Sequence, residues 1–302
     1  MHKPQIINGA QTTYALYEGY NNGSLKDDVE VLIRVIETNN KEFIDNVTLY
    51  ANSQNAIRIR DLSSNDPIQI KLQKLLGDSY KYFYERKRGE FESSYPTPDM
   101  KIKNFGDDYK SKIISNEKVA QAFLAMYLDK PAQAKNEKGK IFIKDNLGFY
   151  DAIFDKTDEL IAEKFLLSWK LLKYIEMRRK EYNRQYKNAE GLPDNEKKEI
   201  YKYDFLFHSE YFILNLFKDF IENQGIILNS KNNLLCVIKE IDTNSILVKN
   251  VYDKIKDELV KYIDTIRNGP SYYHNKFFKN ENSIGLIRTF FKNIYNFVYD
   301  NL

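Results

Sequence analysis

Three polar segments in the first ninety residues carry side chains that folding alone does not require. In Tyr84-Glu85-Arg86-Lys87-Arg88-Gly89-Glu90, read as an extended strand, Glu85 and Lys87 fall on one face and Arg86, Arg88 and Glu90 on the other. Three cations flanked by Tyr82, Phe83 and Tyr84 suit a nucleic-acid backbone, where charge meets phosphate and rings stack on bases. Glu85 and Lys87 also bring a carboxylate and an ammonium group to one face, two residues apart. Asp61 or Asp78 would then supply the upstream carboxylate. The candidate catalytic set is Glu85, Lys87 and Asp61, with Mg²⁺ as the cofactor if that set is catalytic.

The second segment holds Asn52, Gln54, Asn55, Arg58, Arg60 and Asp61, followed by Asn65, Asp66 and Gln69. Guanidinium groups two residues apart share a face in an extended chain and offer bidentate donors to phosphate. Asn and Gln can read base edges or hold the arginines. The third is Asn8-Gly9-Ala10-Gln11-Thr12-Thr13, between a strand end at Ile6 and Ile7 and a helix opening at Ala10. There Gly9 permits a tight turn, and the free N–H groups at Gln11, Thr12 and Thr13 would face an anion at the positive end of the helix dipole. Each segment also has a plainer reading: caps and turn-stabilising side chains for the first two stretches of the chain, a solvated charged edge for Arg86 and Arg88. For Asp66 the cap is the better reading, whereas Asn55 and Arg58 have no equally simple structural need.

The elements that must position these groups follow from periodicity. A helix runs from Ala10 to near Asn22, with Thr13, Leu16, Tyr17 and Tyr20 on one side. Val29 to Ile36 is an apolar, β-branched run that predicts a largely buried strand. Phe43, Ile44, Val47, Tyr50 and Ala51 recur at helical spacing. Asp66 and Pro67 start a helix whose buried stripe is Ile68, Leu72, Leu75 and Leu76, with Gly77 as its end. Tyr80 to Glu92 predicts a strand or hairpin, and Pro96 and Pro98 a loop. A helix from Asn116 stops before Pro131, and Ile141 to Ile143 is a strand candidate. A long helix from Asp158 to about Tyr186 ends in the basic run Arg178, Arg179, Lys180 and Arg184, whose ordinary reading is a solvated face. Further helices are expected around 205–223, 250–267 and 283–301. The fold class is α+β: a mixed α/β portion over 1–112 carrying the polar motifs, then a mainly helical portion over 113–302 with a connector near 188–195.

The bulk properties narrow the function classes. A chain of 302 residues, 42% hydrophobic, can build a real core. A single cysteine, Cys236, rules out an intrachain disulfide, and with three histidines it argues against a zinc site. No apolar run reaches the length of a membrane span and the N-terminus has no secretory pattern, so a cytoplasmic protein without a membrane partner is expected. A net charge of +3 does not diagnose nucleic-acid binding, which leaves local clustering to carry that case. The abundance of Lys, Asn, Ile, Tyr and Phe is what A/T-rich codons produce, so tyrosine count alone indicates no stacking platform. His208 and His274 read as core or surface residues, and Trp169 as core of the long helix.

Pro4-Gln5-Ile6-Ile7-Asn8-Gly9-Ala10-Gln11-Thr12-Thr13, Ala51 to Asn55, Asp61 to Asp66 and Tyr84 to Glu90 together resemble the ordered motifs of the AIPR family, named for abortive infection and phage resistance. The stretch from Asn116 to Lys130-Pro131-Ala132-Gln133-Ala134 resembles that family's next helical block. The resemblance implies a bacterial phage-defence protein. The turn at Asn8 also resembles, more loosely, the Asp-Gly-Gln-Gln-Arg turn of ParB/sulfiredoxin-like proteins, some of which hydrolyse nucleotides; here Asn8 replaces the acid and Thr12 the arginine. The Glu85-x-Lys87 pair resembles the end of the PD-(D/E)xK nuclease pattern, which implies a glutamate that helps hold Mg²⁺ and a lysine that steadies the attacking water. Related proteins carry a segment ahead of the Asn8 turn, so this chain is expected to be a truncated product or a domain fragment. Three readings follow: a defence protein that binds, and as an enzyme hydrolyses, a nucleotide or nucleic-acid phosphate; a non-catalytic sensor of nucleic acid or of a partner; and an inactive remnant.

Overall fold

Gly9 turns the chain with φ at +97°, a conformation a residue without Cβ holds at little cost, and α1 (Ala10–Asn21) follows it. The structure, a computed structural model, describes residues 6, 9–38, 40, 59–243, 245–267, 269 and 272–295. Two compact units make up the chain, Met1–Ser63 and Ser64–Leu302. In the first unit, α1 lies where its periodicity places it. Val29 to Ile36 does not form the expected strand: it is irregular and exposed, with Leu32 wholly open and Ile33 76% exposed. A strand needs a ladder partner for its N–H and C=O groups, and among the described residues none pairs with this run. The helix expected over Phe43 to Ala51 lies outside the described residues.

The second unit opens with α2 (Pro67–Tyr80). Asp66 sits at the N-cap in extended conformation and Pro67 occupies the first helical position. Ile68, Leu72 and Leu76 are buried as the periodicity predicts. Gly77 does not end the helix; it continues to Tyr80, and Lys81 closes it in the left-handed region at φ +59°, its N–H bonded to Gly77 O at 3.1 Å. That reversal leaves only three residues for β1 (Phe83–Glu85), so the strand or hairpin expected over Tyr80 to Glu92 shrinks to this piece.

β1 pairs in parallel with β2 (Ile113–Ser115), Tyr84 opposite Ile114. Parallel pairing demands a crossover, and residues 86–112 supply it. It contains a helical turn at Glu90–Ser94 and α3 (Pro98–Phe105), which starts where a loop was expected because Thr97 accepts from Met100 N–H and Pro98 fits the first helical position. Phe91 packs against Phe83, Tyr95, Phe105 and Tyr109, giving the crossover a small aromatic core of its own.

Directly after β2 comes α4 (Asn116–Met126), buried on nearly every side, then α5 (Pro131–Asn136). Ile141 and Phe142 are buried but form a turn rather than the expected strand. The long helix is α6 (Ile161–Asn188), 28 residues packed against α4, and starting three residues later than expected because Asp158 accepts from Leu160 N–H just ahead of it. Next are α7 (Asp194–Tyr201), α8 (Glu210–Glu222), α9 (Lys231–Asp242), α10 (Ile246–Ile266) and α11 (Ser283–Tyr295). α8 and α9 flank α6, and α10 packs on α8. The result is a mostly helical α+β fold with one small parallel sheet.

Arg288 joins the far end of the chain to this body. Its guanidinium donates to Asp219 Oδ2 at 2.8 Å, to Asp129 Oδ2 at 2.6 Å and to Asn215 Oδ1 at 3.1 Å. Asn215 in turn donates to Asp129 and to Ala125 O, both at 2.8 Å. Burial pushes the Asp219 carboxyl up and the guanidinium opposes it, while the Asp129 carboxyl, where burial acts to raise it, is held below the usual range by Arg288.

Candidate phosphate-binding turn

The strand ends at Glu85, so the two-faced charged strand expected over Glu85 to Glu90 does not exist; these residues form a bend and a turn into the helical turn at Glu90. Gly89 sits at φ +75°, in the left-handed region, with open space where a Cβ would stand. Its N–H donates to Glu85 Oε1 at 3.1 Å, which closes the turn on the strand.

Glu90 is the hub of the brace. Its Oε2 accepts from the Arg86 N–H at 2.8 Å and the Lys87 N–H at 3.3 Å, and its Oε1 accepts from Arg86 Nη2 at 2.6 Å. Burial acts to raise the Glu90 carboxyl, but the Arg86 N–H, Gln73 and the Arg86 guanidinium together hold it below the usual range. Arg86 therefore points inward, and its other terminal nitrogen donates to Ser64 O at 3.0 Å. Asn116, fully buried at the start of α4, donates to Arg86 O at 2.9 Å and ties the turn to the second strand. Arg86 and Arg88, read together as a phosphate strip, are placed differently: Arg86 bonds Glu90 and Ser64, and Arg88 is exposed.

Lys87 and Arg88 are exposed and have no ion-pair partner among the described residues. They stand on a turn at the carboxyl end of a parallel strand pair, the edge where open α/β sheets place their ligands. Adjacent cations on a backbone fixed by four hydrogen bonds can receive an anion without ordering that backbone first.

Behind β1 a buried polar chain anchors the strand. Tyr84 O–H donates to Gln69 Oε1 at 2.7 Å, and Gln69, fully buried, reaches the Tyr150 hydroxyl at 3.5 Å. Tyr150 O–H donates to Asp66 Oδ2 at 2.7 Å, beside Lys144 at 3.0 Å. Burial and the Asp66 carboxylate push the Tyr150 phenol well above its ordinary value. Asp66 thus holds the N-cap position foreseen for it, while its carboxylate serves Tyr150 and Lys144 and makes no side-chain cap bond. Gln73 donates to Tyr84 O at 2.9 Å, so α2 holds the strand at a second point.

The remaining sequence candidates belong to the first unit. Asn8, Asn52, Gln54, Asn55 and Arg58 lie outside the described residues, as does the side chain of Gln11. Gly9 makes the expected turn ahead of α1, and Thr12 is exposed on its first turn. Thr13 uses both its N–H and its hydroxyl on Gly9 O, at 2.9 and 3.1 Å, so its hydroxyl serves its own helix. Arg60 is buried and Asp61 half-buried in the single helical turn Ile59–Leu62. Among the described residues no group of three or more His, Cys, Asp or Glu side chains comes together as a cation site. Two contributors escaped sequence reasoning. Glu90 carried a signal, since it follows Arg86 by four residues, but Asn116 stands thirty residues from its partner and carried none.

No described helix is long and apolar enough to cross a membrane. No curated protein and no solved structure matches the chain. The family model described as AIPR protein matches residues 1–267, which includes the braced turn, both strands and the helices through α10. The motifs read in order along the sequence and this match agree: the chain belongs to the AIPR family.

Proposed function

We propose that this protein serves abortive-infection phage defence by binding the phosphate of a nucleotide or nucleic acid on the turn that carries Lys87 and Arg88. Family membership supports the defence role. The observation that carries the binding reading is the contrast inside one turn: Arg86 donates both terminal nitrogens inward, to Ser64 and Glu90, whereas Lys87 and Arg88 are held outward without a counter-ion among the described residues. The test is fluorescence anisotropy with a labelled 20-mer and with a labelled nucleoside triphosphate, as a function of salt. Replacing Lys87 and Arg88 together by Gln is expected to weaken binding by about tenfold and to reduce the salt dependence by one to two contacts, about 0.7 to 0.9 in slope per contact. Affinity that neither salt nor these substitutions change would remove the phosphate reading.

The brace favours a binding module over a hydrolase. One oxygen of Glu85 is committed to the Gly89 N–H. In this reading Glu85 positions the turn and Lys87 contacts phosphate, and neither activates water. Purified protein should then show no Mg²⁺-dependent turnover of nucleotide or oligonucleotide. Turnover that disappears in Glu85→Gln would instead assign the acid, with Asp61 as the next residue to test, to hydrolysis.

A further inference from the structure

The basic run at the end of the long helix separates into two sets once it is folded. Arg178 and Arg179 turn toward the body: Arg178 pairs with Glu181 at 2.8 Å and lies over the Tyr252 ring, and Arg179 pairs with Glu210 at 3.4 Å. Lys180, Arg184 and Lys187 face outward, exposed and with no ion-pair partner among the described residues. With Lys173 and Met177, also exposed, they follow the three- and four-residue spacing of one helix face. Gln185 and Asn188 complete the exposed positions from Lys173 to Asn188, and none of these is acidic. The helix's acids in this stretch, Glu176 and Glu181, are half-buried and paired, Glu176 with Lys118 and Lys173. The next acids, Glu190 and Asp194, come only after the helix has ended.

Helix electrostatics accounts for only part of this stripe. The dipole favours cations within the last turn and fades beyond it, which covers Lys187; Lys173 has Glu176, and Lys180 and Arg184 are left unexplained. From Lys173 to Lys187 the row spans about 21 Å at 1.5 Å per residue. That is the rise of about six nucleotides of one strand. A straight row of one sign over such a distance complements a linear polyanion. A membrane surface would call for a wide apolar face, and here Met177 is the one exposed apolar side chain in the row.

We propose that the outer face of α6, through Lys180, Arg184 and Lys187 with Lys173 at its far end, is a contact surface for the phosphate backbone of nucleic acid, recognised by charge and not by sequence. It is a different element from the turn of Lys87 and Arg88, and it stands whether or not that turn binds phosphate.

The experiment measures anisotropy of a labelled 30-base-pair DNA duplex and a labelled 30-nucleotide RNA between 50 and 300 mM salt (lengths and concentrations being about those values). It compares the full chain with Lys180→Gln/Arg184→Gln/Lys187→Gln and with a control, Lys156→Gln/Lys239→Gln/Lys249→Gln. The control makes a comparable charge change at exposed lysines elsewhere. All six positions are exposed, and circular dichroism checks that both triples fold. The expected result is a loss of about tenfold or more in affinity for the α6 triple and a salt slope flatter by about two to three, with the control near the full chain. Equal losses in both triples would show bulk charge and overturn the surface, as would an unchanged slope in the α6 triple. Binding to anionic phosphatidylserine vesicles with none to duplex or RNA would overturn it in favour of a membrane. The Lys87/Arg88 variant run alongside separates the two sites, because loss confined to that variant sinks the α6 surface and leaves the turn standing.

Discussion

Arg288 and the pair Lys87–Arg88 are both strongly basic positions on the same unit, and the molecule treats them in opposite ways. Around Arg288 all three guanidinium nitrogens have acceptors, supplied by Asp129, Asn215 and Asp219 from two further elements. At the turn the acceptors surround the backbone and Arg86, and the two following cations are left to solvent. A buried cation must be paired or it destabilises the fold, so full pairing speaks of structure. An exposed cation needs no partner; what distinguishes Lys87 and Arg88 is the bracing of the backbone beneath them. The contrast also explains why charge counting is a poor guide in this chain: the net charge is +3, yet many cations of the second unit, Arg179 and Arg288 among them, are neutralised locally.

The sharpest way to break the comparison is at Arg288. Arg288→Ala leaves Asp219, nearly fully buried, and Asp129 without their cation, and such losses cost about 3 to 5 kcal/mol. Urea denaturation should show that loss in the midpoint, while nucleic-acid affinity per folded molecule stays within twofold. If Arg288→Ala weakened binding and spared stability, the division into a structural and a ligand-facing cluster would be wrong.

Glu90 comes next. Glu90→Ala removes the acceptor for Arg86 and two backbone N–H groups, a loss of about 1.5 to 3 kcal/mol for bonds to a charged group at a partly buried site. Binding should fall with it, because the turn loosens. The pH dependence has a definite sign. The folded carboxyl is held below its unfolded value, so its contribution is complete above about pH 4.3 and is lost as pH falls through the lowered folded value. Acid denaturation followed by tryptophan fluorescence should therefore be shallower in Glu90→Gln than in the unchanged protein. A steeper acid limb in that variant would contradict the brace.

How far this could be read from sequence differs between helices and sheet. α2, α4 and α6 were legible because apolar residues such as Ile68, Leu72 and Leu76 repeat at helical spacing, and Asp66-Pro67 marks the start of α2. The parallel pairing of β1 with β2 was not, because it joins Phe83 to Ile113 across a crossover that no local pattern encodes. Val29 to Ile36 misled for the same reason: an apolar, β-branched run reports only the capacity to be a buried strand, and the ladder depends on a partner elsewhere. At the turn, the residue types were legible but not their division of labour. Arg86 and Arg88 look alike in sequence, and what draws the Arg86 side chain inward is Glu90 four residues on together with Ser64, distant along the chain. In α6 the helical spacing sorts Arg178 from Lys180 only once the packing of α8 and α10 is known.

A smaller effect is expected at Gly89. No heavy atom stands within 4 Å of the place a Cβ would take, so Gly89→Ala meets no clash and its cost is the left-handed backbone alone, about 1 to 2 kcal/mol. Gly89→Asn, which tolerates that region better, should recover part of it. Thermal melts of the two variants test this, and equal melting temperatures for Ala and Asn would mean that the turn relaxes out of its left-handed conformation at no cost.

The least stability should be lost where the most binding is lost, and this makes the final test the most discriminating. Lys87→Ala with Arg88→Ala removes two exposed side chains that hold nothing in the fold among the described residues, so unfolding free energy should move by no more than about 0.5 kcal/mol. Removing two like charges that sit side by side gives, if anything, a slight stabilisation at low salt that fades at high salt. Nucleic-acid affinity in the same variant should fall by about tenfold, with a flatter salt slope. Such a split would place Lys87 and Arg88 opposite Arg288 on both axes, stability and binding. A variant that lost stability and affinity in proportion would show that these cations, like Arg86 beside them, belong to the fold and not to a ligand.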